Sequence, residues 1–130
     1  LDREREAAIF PFDLLLREME VAVTAEAVAK RMEEFGVRRE RAMKARLLVE
    51  ESLMVVKERN AGKEVHAEVT LDFNEGVVIT LRDDGVIFDI TDADAKVNGL
   101  RTYLVATMMR HQSEKSNVLT TGFNRNVFRL

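Results

Sequence analysis

The stretch "EVHAEVTLDFNEGVVITLRDDG", residues 64–85, decides the fold class. In its first half apolar and polar residues alternate, and this period of two is typical of a strand with one face toward a core. The apolar face consists of Val65, Ala67, Val69, Leu71 and Phe73. "NEG" at 74–76 is a turn signal, and "VVITLRD" at 77–83 is the returning strand. The stretch therefore predicts an antiparallel hairpin.

Two helical patterns precede the hairpin. Thr24 is a typical N-cap residue, so a helix is predicted over 25–35, with Gly36 just past its end. A second, longer helix is predicted over 38–59, followed by a turn at "NAGK", residues 60–63.

The N-terminal part is less regular. "MEVAVT" at 19–24 alternates in part and predicts a strand, whereas "IFPFDLLL" at 9–16 fits either a strand or a packed arm. We expect residues 1–19 to be an N-terminal arm or linker end and residues 20–130 to form one domain.

After the hairpin the sequence predicts a third helix over 99–110 and two last strands, "NVLTTG" at 117–122 and "NRNVFRL" at 124–130. Helices and antiparallel strands are segregated along the chain. This order predicts an α+β fold: a two-layer sandwich in which the helices cover one face of a mostly antiparallel sheet.

The composition excludes several classes of function. The chain has 130 residues, a net charge of −3, two histidines and no cysteine. This charge does not favour nucleic-acid binding, and the missing cysteines exclude disulfides and thiol catalysis and fit a cytoplasmic protein. No apolar run approaches the roughly 20 residues that span a bilayer. Because the chain begins with Leu1, we interpret it as a processed fragment or a domain of a longer chain.

The predicted helix 38–59 has apolar residues on two faces. One stripe suffices to dock it on a sheet: Ala42, Ala45, Val49, Leu53 and Val56. A second apolar face lies outside that stripe: Met43, Leu47, Leu48, Met54 and Val55. The second face either lines a pocket or meets a partner, or it is covered by the loop 86–98 or the N-terminal arm.

Four short motifs follow one another in the chain. They are "VEESLM" at 49–54, then Asp83, Gly85, Phe88 and Asp89, then "GLRTYL" at 99–104, then "GFNR" at 122–125. Their order and spacing over roughly residues 20–130 resemble the histidine-kinase-like ATPases with the Bergerat ATP-binding fold. The most similar branch is that of the anti-sigma-factor serine kinases.

The resemblance implies a site for ATP or ADP. Asp83 would accept a hydrogen bond from the adenine amino group, since an ionised carboxylate is acceptor-only. Gly85 would let the base approach the backbone, and Phe88 would anchor the loop. Gly99 and Arg101 would face the phosphates, and Asn124 belongs to the closing motif of the same site. The alternative is a plain Asp-Gly turn with Phe88 in the core.

Glu51 matches the glutamate that orients or deprotonates the attacking group in catalytic relatives, which makes it the candidate catalytic residue. The alternative is a partly buried glutamate paired with an arginine such as Arg125.

Two departures from the family pattern affect catalysis. The family binds Mg²⁺ through an asparagine one turn after the glutamate, where this chain has Val55. Asn60 lies at the helix end and does not replace it. Arg101 and Thr102 stand where the family has glycine and leucine in a flexible lid. We therefore expect Mg²⁺ binding to be doubtful and phosphoryl transfer to be weak or absent.

The sequence thus favours an ATP-binding regulatory domain with a protein partner, which by resemblance would be a sigma factor or an anti-anti-sigma-like protein. The alternatives are a non-catalytic interaction module, including a homodimeric scaffold, and a regulatory domain of a longer chain.

Overall fold

The computed structural model describes residues 8–74, 76–86, 113–115 and 124–129. These residues form two helices and five strands. In chain order they are β1 (Ile9–Leu15), α1 (Glu18–Glu34), α2 (Arg39–Arg59), β2 (His66–Asp72), β3 (Val78–Asp83), β4 (Ser113–Lys115) and β5 (Asn124–Arg129).

The strands form one sheet in the order β1-β2-β3-β5-β4, and every neighbouring pair is antiparallel. The register aligns Phe12, Val69, Leu81 and Asn126 across four strands. Alternate residues of β2, β3 and β5 are buried, so this face of the sheet is covered by the helices. The predicted α+β two-layer sandwich is confirmed.

The core lies between this face and the two helices. The sheet contributes Val69, Leu71, Ile79, Leu81 and Phe128, and the helices contribute Val21, Val28, Met32, Val49 and Leu53, all of them buried. Complete burial of each such side chain stabilises the fold by about 1.5–3 kcal/mol relative to exposure.

The structure corrects the prediction for the residues before Gly36. The strand predicted at 19–24 is wrong, because these residues lie inside α1. Thr24 is a buried residue within this helix and not its N-cap. The helical period explains the error: Val21, Val28 and Met32 are buried on one face of a single helix.

Residues 9–15, part of the predicted N-terminal arm, form β1 and pair with β2 along their whole length. Ala8 extends this pairing, because its carbonyl accepts a hydrogen bond from the Phe73 amide at 3.0 Å. Of the two interpretations of this segment, the strand is therefore correct.

The predictions for the central part are confirmed: α2 and the β2–β3 hairpin lie within a residue or two of the predicted bounds. The strand at the end of the chain is confirmed as β5, whereas β4 was not predicted. The helix predicted at 99–110 and the strand at 117–122 lie outside the described residues. Neither α1 nor α2 combines the length and apolar character needed to span a membrane.

Candidate functional site

Asp83 and Asn124 meet at one end of the sheet, because the last residue of β3 pairs with the first residue of β5. The side-chain amide Nδ2 of Asn124 donates to Oδ1 of Asp83 at 3.0 Å. The two residues are only 3% and 1% exposed. The fold therefore places a carboxylate in the core, with an amide instead of a cation as its side-chain partner.

The turn after β3 is fixed at two points. The backbone N–H of Gly85 donates to Asp83 Oδ1 at 3.0 Å, so this single oxygen accepts two hydrogen bonds. The carboxylate of Asp84 points elsewhere and accepts from the backbone N–H of His66 at 2.9 Å. Among the described residues, no group donates to Oδ2 of Asp83, which is thus the oxygen with acceptor capacity left.

Burial raises the pKa of the Asp83 carboxyl above its ordinary value. The hydrogen bonds from Asn124 and Gly85 act in the opposite direction because they favour the charged form, while the neighbouring charge of Asp84 adds to the increase. The site therefore keeps a desolvated acceptor whose protonation is sensitive to its surroundings.

Asn60 is a member of the site that the sequence analysis missed. It is buried at the C-terminal end of α2, where its Nδ2 donates to the Val56 carbonyl at 2.8 Å. Its Oδ1 accepts from the backbone N–H of Val86 at 2.8 Å. An asparagine at a helix end is an ordinary capping signal, but nothing in the sequence links it to a residue 26 positions later.

Two further buried polar atoms lie on α2 and β5. Ser52 Oγ and Asn126 Oδ1 have no hydrogen-bond partner among the described residues. Ser52, Val56 and Asn60 are spaced by four along the chain and so share a face of α2. Asn126 follows Asn124 by two residues and lies on the same face of β5. This part of the core is thus more polar than the rest.

The remaining predicted residues are not all brought to Asp83. Glu51 is half-buried on α2, and Val55 is buried in the hydrophobic core. Phe88, Gly99 and Arg101 lie outside the described residues. In the part of the chain that the structure describes, no cluster of three or more His, Cys, Asp or Glu side chains could hold a metal.

An open cleft of about 220 Å³ lies beside the turn, on the side of Asp84. It is lined by Asn60, Lys63, Glu64, Val65, Asp84, Gly85 and Val86. Gly85 of the expected nucleotide site lines this cleft, whereas Asp83 does not.

No family model matches the sequence, and no curated protein matches it. The chain is defined by its fold class, an α+β two-layer sandwich, and by a buried Asp–Asn pair at the end of a strand inside the sheet.

Proposed function

We propose that this domain binds an adenine nucleotide, ATP or ADP, at Asp83 and regulates a protein partner, with weak or absent phosphoryl transfer. It would thereby resemble the anti-sigma-factor serine kinases. The observation that carries the proposal is the geometry of Asp83: Oδ1 is held by Asn124 and Gly85, and Oδ2 accepts from none of the described residues.

An acceptor of this kind favours adenine over guanine. The exocyclic amino group of adenine is a donor, and an ionised carboxylate only accepts. Guanine has a carbonyl oxygen at the corresponding ring position and would leave a buried acceptor facing another acceptor. A buried polar group without a partner costs about 1–3 kcal/mol, which is enough for a preference of roughly tenfold to a hundredfold.

The position of Val55 supports weak or absent catalysis. By the resemblance, it stands where the histidine-kinase-like ATPases have the magnesium-binding asparagine, and its buried hydrocarbon side chain cannot coordinate a metal. Phosphoryl transfer depends on the metal to position the phosphates and neutralise their charge. We therefore assign the domain to nucleotide-dependent regulation in preference to turnover.

Two exposed apolar side chains on α2 suggest a contact with a protein partner. Met43 and Leu47 are 43% and 47% exposed and, with a spacing of four, lie on one face of the helix. They belong to the second apolar face, whereas Leu48 and Val55 of that face are buried. The partner would be sigma-factor-like or anti-anti-sigma-like by resemblance, in the cytoplasm.

The same two side chains favour the second candidate function, a non-catalytic interaction module. In that case the domain would contact a partner or a second copy without a nucleotide, as an independent protein or within a longer chain.

Calorimetric titration with ADP and with GDP, each with and without Mg²⁺, tests the proposal. We expect ADP binding that does not need Mg²⁺, weaker binding of GDP, and loss of ADP binding in Asp83→Asn. Asp13→Asn is the matched control, because it makes the same charge change at an exposed position of β1, two strands from β3, and it should keep its affinity. ADP binding that Asp83→Asn leaves unchanged, or no binding of either nucleotide, would contradict the proposal.

A further inference from the structure

Asn60 contacts two elements that are far apart in the sequence. Its Nδ2 donates to the Val56 carbonyl in the last turn of α2, and this bond satisfies one of the carbonyls that a helix end leaves without a partner. Its Oδ1 makes a second contact: it accepts a hydrogen bond from the backbone N–H of Val86, which follows the Asp83 turn. The side chain thus ties the helix to the turn.

Val86 is held from both sides. While Asn60 accepts its N–H at 2.8 Å, its carbonyl accepts from Nδ2 of Asn124, also at 2.8 Å. The same Nδ2 of Asn124 donates to Asp83. A continuous chain of hydrogen bonds therefore runs from the end of α2 through Val86 and Asn124 to the buried carboxylate.

The side chain of Asn60 also packs directly against Gly85. A Cβ atom added to Gly85 would lie 2.5 Å from Asn60 Nδ2 and 2.9 Å from both Cγ and Oδ1. Real Cβ atoms do not approach other atoms this closely, so only glycine fits while Asn60 is in place. Gly85 in turn supplies the backbone N–H that holds Oδ1 of Asp83.

We propose that Asn60 is the positioning residue of the Asp83 site. Asn60 fixes the turn 84–86 against α2. The turn and Asn124 together hold the Asp83 carboxylate, so that Oδ2 stays oriented toward the nucleotide. Asn60 acts through its neighbours and has no role in contacting the nucleotide. The inference rests on the proposed function for the identity of the ligand, but its effect on Asp83 can be measured without any ligand.

The first experiment is an NMR titration of the Asp83 side-chain carboxyl in the ligand-free protein, comparing wild type with Asn60→Ala. Asn60→Ala removes both hydrogen bonds and lets the turn loosen, so water reaches the carboxyl. Because burial is the main cause of the raised pKa of Asp83, we expect this pKa to decrease. Asn74→Ala, an exposed substitution of the same type, should leave it unchanged. An unchanged or increased pKa in Asn60→Ala would overturn the inference.

The second experiment is a double-variant cycle on ADP affinity with Gly85→Ala, Asn60→Ala and their combination. We expect Asn60→Ala to weaken ADP binding by about tenfold, because the loosened turn no longer holds the Asp83 carboxylate in place for the hydrogen bond to adenine. If the two substitutions acted independently, the combined variant would lose affinity by the product of the two single fold-changes. We expect a smaller loss, because the Cβ that Gly85→Ala adds no longer clashes with the Asn60 side chain once that side chain is removed. Independent effects of the two changes would contradict the inference.

The two experiments separate this inference from the proposed function. If the wild type does not bind ADP, the proposed function fails, while the titration of Asp83 still decides whether Asn60 positions the carboxylate. If ADP binds and Asn60→Ala changes neither the pKa of Asp83 nor the affinity, Asn60 is a helix cap only.

Discussion

Asn124 donates a hydrogen bond from its side-chain amide to Oδ1 of Asp83 at 3.0 Å, and both side chains lie in the core. Burial raises the pKa of the Asp83 carboxyl, and the hydrogen bond from the Asn124 amide offsets this increase only in part. A buried carboxylate with only an amide as side-chain partner lowers the stability of the fold, and under the proposed function it accepts a hydrogen bond from the adenine amino group. The predictions below separate these two consequences.

The first prediction concerns Asn124. Asn124→Ala removes the donor to Asp83 Oδ1 and the donor to the Val86 carbonyl, and it leaves a buried carboxylate with fewer partners. We expect the free energy of unfolding to decrease by about 1–3 kcal/mol. Urea denaturation at pH 7 measures this change. Asn74→Ala, at an exposed turn position, is the control and should have a much smaller effect.

The second prediction concerns the pH dependence of stability. Folding raises the pKa of Asp83, so the contribution of this group to stability is fully present below the pKa of the unfolded chain. It is lost as the pH increases through the pKa of the folded state. Asp83→Asn removes this titration, and we expect it to be more stable than wild type at pH 7, by about 1.4 kcal/mol for each pKa unit of the shift.

The difference in unfolding free energy between Asp83→Asn and wild type should therefore grow from acid to neutral pH. Urea denaturation at a series of pH values tests this expectation, with Asp13→Asn at an exposed position of β1 as the control. A constant difference at all pH values would show that Asp83 does not titrate with a raised pKa.

The third prediction concerns an aromatic cluster at the end of α1. The rings of Phe35 and Phe73 stack with centroids 4.2 Å apart, and Phe10 meets both rings edge-on. Although Phe35 is 45% exposed, we interpret it as part of the fold and not as a docking residue. Phe35→Ala should lower the free energy of unfolding by about 1–2 kcal/mol, through lost stacking and lost apolar contact.

Thermal or urea denaturation provides the measurement for Phe35. Met19→Ala is the matched control, because Met19 is a large apolar residue near the other end of α1 and is 79% exposed. Equal effects of the two substitutions would show that the stacked rings contribute nothing specific.

The fold was predictable where one period dominates a long stretch. The alternation around Val69 and Leu71 places one face of β2 in the core, and a shift by one residue would bury polar side chains instead. The short alternation at 19–24 was misleading because a window of a few residues also fits a helix, and the burial of Val28 and Met32 lies beyond it. The strand β4 has three residues, all polar, and gives no periodic signal.

The site was predictable only in part, for a related reason. Asp83, Gly85 and Asn124 were predicted as nucleotide-binding residues from their motifs, and the structure brings these three together, while their role in binding stays a prediction. Asn60 was considered only as a metal ligand, since its bond to Val86 spans 26 positions and depends on how α2 packs over the sheet. Contacts of this kind arise from tertiary structure and leave no local pattern.

The last prediction concerns Val55 and the metal. Val55 is 1% exposed, so Val55→Asn places an amide in the core, and without ligand we expect it to lower the free energy of unfolding by about 1–3 kcal/mol. If the resemblance identifies this position correctly, the new amide oxygen faces a magnesium ion held by the nucleotide phosphates. The variant should then bind ADP more tightly with Mg²⁺ than without it, whereas wild type should show little difference.

Val56→Asn is the matched control, because Val56 is also buried, at 2% exposure, one residue further along α2. It should lose stability to a similar extent without gaining magnesium dependence, since neighbouring residues of a helix point in directions about 100° apart. Isothermal calorimetry over a range of Mg²⁺ concentrations, together with a phosphoryl-transfer assay, measures both effects.

Wild-type turnover that requires Mg²⁺ and is abolished in Glu51→Gln would falsify the assignment of weak catalysis. It would mean that the metal is held without an asparagine at position 55, and that Glu51 acts as the general base that its place in the motif implies.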